Sequence, residues 1–118
     1  MVRVKKGQQK QKKHKKWLKL AKGYKWGRKS RFKLAKQAVM KAWQHAYRDR
    51  RRKKRDMRRL WNIKINAAAR QHDLPYSKFI YGLREADIKI DRKILADLGE
   101  NHPDVFEKIV EKAKEHIE

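Results

Sequence analysis

No cysteine occurs in this sequence, which excludes disulfide frameworks, thiolate metal sites and thiol catalysis and leaves the redox compartment open. Long apolar runs are missing too. Nothing approaches the roughly 18 consecutive apolar residues of a membrane span, and the basic first 16 residues lead into no apolar segment of the secretory kind, so neither a span nor a signal is expected. Serine is confined to Ser30 and Ser77, which argues against a transit peptide. Glycine and proline number only five and two, so few positions can interrupt a helix. The scarcest class over the first half is acid: residues 1–60 hold Asp49 and Asp56 against 26 Lys and Arg, whereas residues 61–118 hold 11 acids against 10 Lys and Arg.

What is present is therefore basic and lopsided. The formal net charge is +23 over 118 residues, and the excess sits in one half. A solubility device would be spread evenly, so the asymmetry points to a polyanion-binding arm joined to a conventional folded module. We expect a basic extension with a long helix over residues 1–59 and a small globular helical domain over 60–118, in a chain that is all-α.

Residues 1–23 show no sustained periodicity. Their few apolar side chains cannot offset a backbone ordering cost of roughly 1 to 2 kcal/mol per residue, so alone in water they are expected to be disordered. Gly23 and Gly27, with Tyr24 and Trp26, read as a flexible joint. From Phe32 the residues Ala35, Ala38, Val39, Ala42, Trp43, Ala46 and Tyr47 recur at three- and four-residue steps, which predicts a helix over about 31–72 with Trp43 and Tyr47 as packing residues on its apolar face. Three short helices are expected beyond it. The first starts with Ser77 as N-cap and turns Phe79, Ile80 and Leu83 inward. The second starts at Asp91, turns Ile94, Leu95 and Leu98 inward and is stopped by Gly99. The third carries Pro103 in its first turn, with Phe106, Ile109, Val110 and Ala113 inward and Asp104 and Glu107 near its positive end. Leu60, Trp61, Ile63, Ile65 and Leu74 are expected to complete the core.

The stretch RDRRRKKRDMRR, residues 48–59, carries the most information about function. At about 100° per residue its nine cations, Arg48, Arg50, Arg51, Arg52, Lys53, Lys54, Arg55, Arg58 and Arg59, surround a helix with no gap wider than about 100°. Like charges meet at i,i+4 in Arg48/Arg52, Arg50/Lys54, Arg51/Arg55, Lys54/Arg58 and Arg55/Arg59, each destabilising by roughly 0.2 to 0.5 kcal/mol. A helix polar on every side needs external support, and phosphates on several sides would supply it. Insertion between RNA helices fits this surround better than docking on one face. In the arm, cations alternate with Trp17, Tyr24, Trp26 and Phe32, a mixture suited to backbone neutralisation and stacking on unpaired bases. The competing reading packs these rings against the arm's own Leu18, Leu20 and Leu34, and the sequence leaves that choice open.

Catalytic and metal signals are absent from the pattern. His14, His45, His72, His102 and His116 never fall at ligand spacing with a carboxylate partner, and there is no phosphate-cradling glycine loop or nucleophile elbow. His72, Asp73 and Ser77 cluster around Pro75, yet neighbours in sequence have no reason to converge in triad geometry. No enzyme activity, cofactor or metal is expected.

Three ordered segments make the chain familiar: HKKWLKLAKGYKWGRKSRFKLAKQAV at 14–39, YRDRRRKKRDMRRLWNIKINAAAR at 47–70 and LPYSKFIYGLREADIKIDRKILADLG at 74–99. Over nearly its whole length the chain resembles the bacterial and organellar family of large-subunit ribosomal protein twenty. The middle segment is the most specific, with Arg58, Leu60, Trp61, Ile65, Asn66, Ala67 and Ala68 matching the family's LW and INAA elements. Val2 stands where the family has Pro, and Trp26 and Gly27 fall in a variable spot. The resemblance implies direct binding to large-subunit (23S-type) ribosomal RNA through a largely helical N-terminal arm, a role in early subunit assembly, and neighbouring large-subunit ribosomal proteins as partners. It also implies, for some members, repression of their own operon through messenger RNA. The location implied is the ribosome, cytoplasmic or organellar.

The RNA-binding set expected on these grounds is Arg3, Lys5, Lys6, Lys12, Lys13, His14, Lys15, Lys16, Trp17, Lys19, Lys22, Tyr24, Lys25, Arg28, Arg31 and Lys36, followed by the nine cations of residues 48–59. Two rivals fit the charge: chromatin-like compaction of DNA, and a basic amphipathic membrane helix over residues 31–47.

Overall fold

A computed structural model of the chain describes residues 5–117, and every regular element among them is a helix. They run α1 (Gly7–Leu20), α2 (Gly27–Ser30), α3 (Phe32–Arg70), α4 (Tyr76–Glu85), α5 (Arg92–Asn101) and α6 (Pro103–Glu115). The chain divides into two compact units, residues 1–51 and 52–118, and α3 contributes to both.

The first unit contains an element the sequence did not announce. Residues 7–20 form α1 where a disordered arm was expected, because His14, Trp17, Leu18 and Ala21 fall at i, i+3, i+4 and i+7, one helix face. That face docks on the first turns of α3: Ala21, Ala35 and Val39 are fully or almost fully buried, and Trp17, Leu18 and Tyr24 pack around them. Tertiary contact supplies what local propensity lacks. Leu20 and Leu34, offered as partners for the arm's rings, stay 44 % and 40 % exposed.

In the reversal between α1 and α2, Gly23 has φ +90° and Trp26 has φ 50°, ψ −136°. A bulky residue at positive φ is an outlier, a strain of order 1 to 3 kcal/mol. The other two non-glycine residues at positive φ, Asp73 (59°) and Asp87 (51°), are of a type that tolerates it. They sit where α3 and α4 end. The Leu74 amide donates to the Ala69 carbonyl and the Asp73 amide to the Arg70 carbonyl; Ile88 to Leu83 and Asp87 to Arg84 repeat the pattern. This is the Schellman arrangement, with aspartate in the place glycine commonly takes.

The second unit closes around Ile65, Ala68 and Ala69 of α3, Leu74 in the turn that follows, Phe79 and Leu83 of α4, Leu95 and Ala96 of α5, and Phe106, Val110 and Ala113 of α6. The Phe79 and Phe106 rings lie 5.3 Å apart, tilted by 43°, an arrangement worth about 0.5 to 1.5 kcal/mol beyond burial. Ile94, Leu60 and Ile63, expected inward, are instead 51 %, 43 % and 66 % exposed. Ile65 takes the inward direction of α3 at that level, and residues two positions apart on a helix diverge by about 200°. Ile94 points about 100° away from its neighbour Leu95, which is buried.

Two terminus expectations also change. α4 begins at Tyr76 with Pro75 as N-cap, two residues before the Ser77 cap expected. The support comes from α3: Asn66 Oδ1 accepts from the Tyr76 amide at 3.2 Å and from Arg70 Nε at 3.3 Å. The Tyr76 hydroxyl donates to Asn62 Oδ1 at 2.9 Å and accepts from Arg92 Nε at 3.2 Å, tying α3, α4 and α5 together. α5 runs through Gly99 to Asn101. Gly99 acts there as a point of close approach, since a Cβ on it would lie 2.8 Å from Ala68 Cβ.

Gly82 makes the corresponding approach between α4 and α6: an added Cβ would run into the Ala113 carbonyl oxygen and come within 2.9 Å of Ile117. A backbone oxygen cannot swing aside as a side chain can. Gly82→Ala is therefore expected to destabilise the second unit by about 1 to 3 kcal/mol, read from urea or thermal unfolding. An unfolding midpoint equal to the parent's would contradict the α4–α6 packing described.

Candidate nucleic-acid interface

Once His14, Trp17, Leu18 and Ala21 are turned onto α3, helical geometry decides where the lysines of α1 go. At about 100° per residue Lys12, Lys15, Lys16 and Lys19 fall within one arc of about 100° on the opposite face, and all four are exposed. Lys13 is exposed on the flank, and Lys5 and Lys6 are exposed ahead of the helix. Lys22, Lys25, Arg28 and Arg31 carry the positive surface through the reversal and α2 into α3. Lys10, Lys29 and Lys33, which sequence reasoning omitted, are exposed alongside them. Arg3 lies outside the described residues.

The rings expected to stack divide sharply. Trp17 is half-buried, tilted against Trp43 at 5.6 Å with the Lys36 ammonium 5.8 Å from its ring. Phe32 stacks on His14 at 3.8 Å, nearly parallel at 17°. Tyr24 is half-buried against the Ala21–Ala35–Val39 cluster. Trp26 is 83 % exposed. Trp43 and Tyr47, taken from the sequence as packing residues, are 54 % and 56 % exposed; each is covered on one side only, Trp43 by Trp17 and Tyr47 by the Arg51 guanidinium 3.7 Å above its ring.

Beside the reversal an open groove of about 590 Å³ runs along one flank of α3. Leu34, Ala38 and Ala42 give it an apolar floor, Tyr24 an aromatic wall, and Arg28, Gln37, Lys41 and His45 a polar rim. Gln37, Lys41 and His45 were not among the expected contacts. Their signal was in the sequence, since 34, 37, 38, 41, 42 and 45 repeat one helical face.

Within α3, every residue from Trp43 to Leu60 is exposed, so this stretch takes no support from a core. Its nine cations meet two carboxylates. Arg48 Nε lies 2.9 Å from Asp49, whose hydrogen bond and then whose charge hold the guanidinium above its ordinary pKa. Asp56 stands between Arg52 at 3.5 Å and Arg59 at 3.9 Å. All of these side chains are half-exposed or more, where ion pairs are worth little. Among the described residues no group of three or more His, Cys, Asp or Glu side chains is placed to hold a metal ion, and no helix is long and apolar enough to cross a membrane. The face proposed for a membrane helix over residues 31–47 is covered in its first half, where Ala35 and Val39 pack against α1.

Comparison with known proteins converges on one family. The family model described as ribosomal protein L20 matches residues 3–109. A protein named large ribosomal subunit protein bL20 from Thermomicrobium roseum is 55 % identical over 114 residues, which cover 97 % of each chain. Namesakes from Roseiflexus and from Methylibium petroleiphilum are 52 % and 55 % identical over 117 residues, spanning 99 % of this chain and 100 % and 99 % of theirs.

The repulsion within residues 48–59 is open to direct test. Lys54→Glu turns two repulsive i,i+4 relations, with Arg50 and Arg58, into attractive ones, so α3 is expected to gain about 1 to 2 kcal/mol at low ionic strength. The helix signal of the isolated chain in far-ultraviolet circular dichroism should rise, and the gain should fade with added salt. Equal helix content in parent and variant at low salt would show that like-charge crowding does not limit this helix.

Proposed function

The chain belongs to the ribosomal protein L20 family, and from that premise we propose that it is a structural, non-catalytic component of the large ribosomal subunit that binds 23S-type ribosomal RNA directly and supports early subunit assembly. Its place on this reading is the ribosome in the cytoplasm. Its partners are ribosomal RNA and neighbouring large-subunit proteins. Residues 1–59 act as the RNA-binding extension and residues 60–118 as a small helical domain that anchors it.

The observation that carries the proposal is the fully exposed, all-round cationic surface of α3 between Trp43 and Leu60. A protein that docks on one face of a nucleic acid needs cations on one face only. A segment threaded between RNA helices meets phosphates on several sides, and there each cation of residues 48–59 has a use. The same surround argues against DNA compaction, in which a duplex presents its phosphates to one side of a bound helix. Phosphate neutralisation by Arg48, Arg50–Arg55, Arg58 and Arg59 provides affinity, and the lysine face of α1 extends the contact.

A second reading, control of the chain's own messenger RNA, is favoured by one feature of the second unit. Arg84, Lys89 and Arg92, with Asp87 paired to Lys89 at 3.0 Å, rim an open groove of about 230 Å³ floored by Ile80, Leu83, Ile88, Ile90 and Leu95, so this unit has a concavity of its own with net basic character. Arg84→Ala with Lys89→Ala in the full chain is expected to weaken binding to the leader of its operon more than binding to ribosomal RNA. An equal loss on both RNAs would count against a regulatory site there.

The ribosomal reading is tested by a salt titration. If about ten phosphates are engaged, log K for a large-subunit ribosomal RNA fragment should fall with log salt at a slope of about −9. A slope shallower than about −3, or equal affinity for duplex DNA at physiological salt, would contradict it.

A further inference from the structure

Trp26 combines three properties that the fold alone does not account for. It is 83 % exposed, its backbone is held at φ 50°, ψ −136°, and it stands among Lys22, Lys25, Arg28 and Lys29 in a stretch with no acid before Asp49. The conformation is tied to the start of α2: the Trp26 carbonyl accepts from the Lys29 amide at 3.3 Å, and the glycine that follows packs close to Leu34 and Arg31, where a Cβ would lie 3.2 Å from Leu34 Cδ1 and 3.3 Å from Arg31 Cδ. A large apolar ring is thus kept in water on strained backbone, a combination that lowers the stability of the free chain. Such an outlier points toward function when nothing in the folded state is gained by it.

Resting on the ribosomal RNA reading, we propose that Trp26 is a stacking platform for an unpaired base of that RNA. The indole has two faces free for a base, and its two side-chain torsions make ordering it inexpensive in entropy. Stacking on an aromatic ring tolerates any base, and the flanking cations neutralise the phosphates on either side of the stacked nucleotide. Trp17, Tyr24 and Phe32 cannot serve equally, because each already has a face against Trp43, the Ala21–Ala35–Val39 cluster or His14. The positive surroundings favour a polyanion over an apolar protein partner.

The test measures affinity of the full chain for a large-subunit ribosomal RNA fragment across a salt series, for the parent, Trp26→Ala, Trp26→Phe and Trp26→Gly. Stacking adds affinity without releasing counterions. Trp26→Ala is therefore expected to weaken binding by about 5- to 150-fold with the salt slope unchanged, and Trp26→Phe to recover most of the loss. Trp26→Gly, which suits the positive φ, should bind as weakly as Trp26→Ala while unfolding no earlier than the parent. A Trp26→Ala line coinciding with the parent's would overturn the stacking role and leave the ribosomal reading intact. Lowered helix content or an earlier unfolding midpoint in Trp26→Ala would overturn it too, by making the ring structural. A parent without steep salt dependence would overturn the RNA reading and this proposal together.

Discussion

Repulsion between like charges one helical turn apart governs what α3 can be. Five cation pairs at i,i+4 in residues 48–59 cost together about 1 to 2.5 kcal/mol, a sizeable share of the 5 to 15 kcal/mol by which domains are held folded. Asp49 and Asp56 answer only part of it, from exposed positions. No apolar side of residues 48–59 is buried to compensate, as every one of them is exposed. What weakens the helix in isolation becomes an asset beside a polyanion, where each cation exchanges a repelling neighbour for a phosphate and releases condensed counterions.

The two ends of α3 solve the complementary problem of anchoring a helix with so little to hold its middle. Over Phe32–Val39 it is gripped by the narrow apolar stripe of α1. Over residues 62–70 it supplies Ile65, Ala68 and Ala69 to the core and Asn62 and Asn66 to the polar links that start α4. Small residues do much of this work. Ala68 meets Gly99, and Gly82 meets the backbone of α6, so helices approach closely enough for a core of few large side chains. In a domain of about this size a smaller share of the surface is available to bury than in a large one, and close backbone approach lets the few large side chains, Phe79, Phe106, Ile65 and Leu95, be fully covered.

Much of this was legible in the sequence for a definable reason. The helix from Phe32, the inward set Phe79, Leu83, Phe106, Val110 and Ala113, and Pro103 in the first turn of α6 all follow from periodicity or from local backbone chemistry, and the structure agrees. The cationic surround of α3 needed only residue counts and the angle per residue. What escaped depends on contacts between segments. α1 was hidden because four apolar-face residues amid lysines form too short a pattern to outweigh composition. Ser77 gave way as N-cap because the acceptor for the first amide of α4 comes from Asn66, ten residues earlier. Ile63 and Ile94 were apolar in identity but not inward in direction. The arm's rings could not be ranked at all, since only packing separates the occupied Trp17, Tyr24 and Phe32 from the exposed Trp26.

The most direct measurement is amide hydrogen exchange across residues 48–59 of the purified chain in low-salt buffer, first free and then bound to a large-subunit ribosomal RNA fragment. The account predicts rapid exchange in the free chain and strong protection on binding, with the second unit's core amides slow in both. Equally slow exchange of residues 48–59 with no nucleic acid present would contradict it, because the helix would then hold its shape without the polyanion.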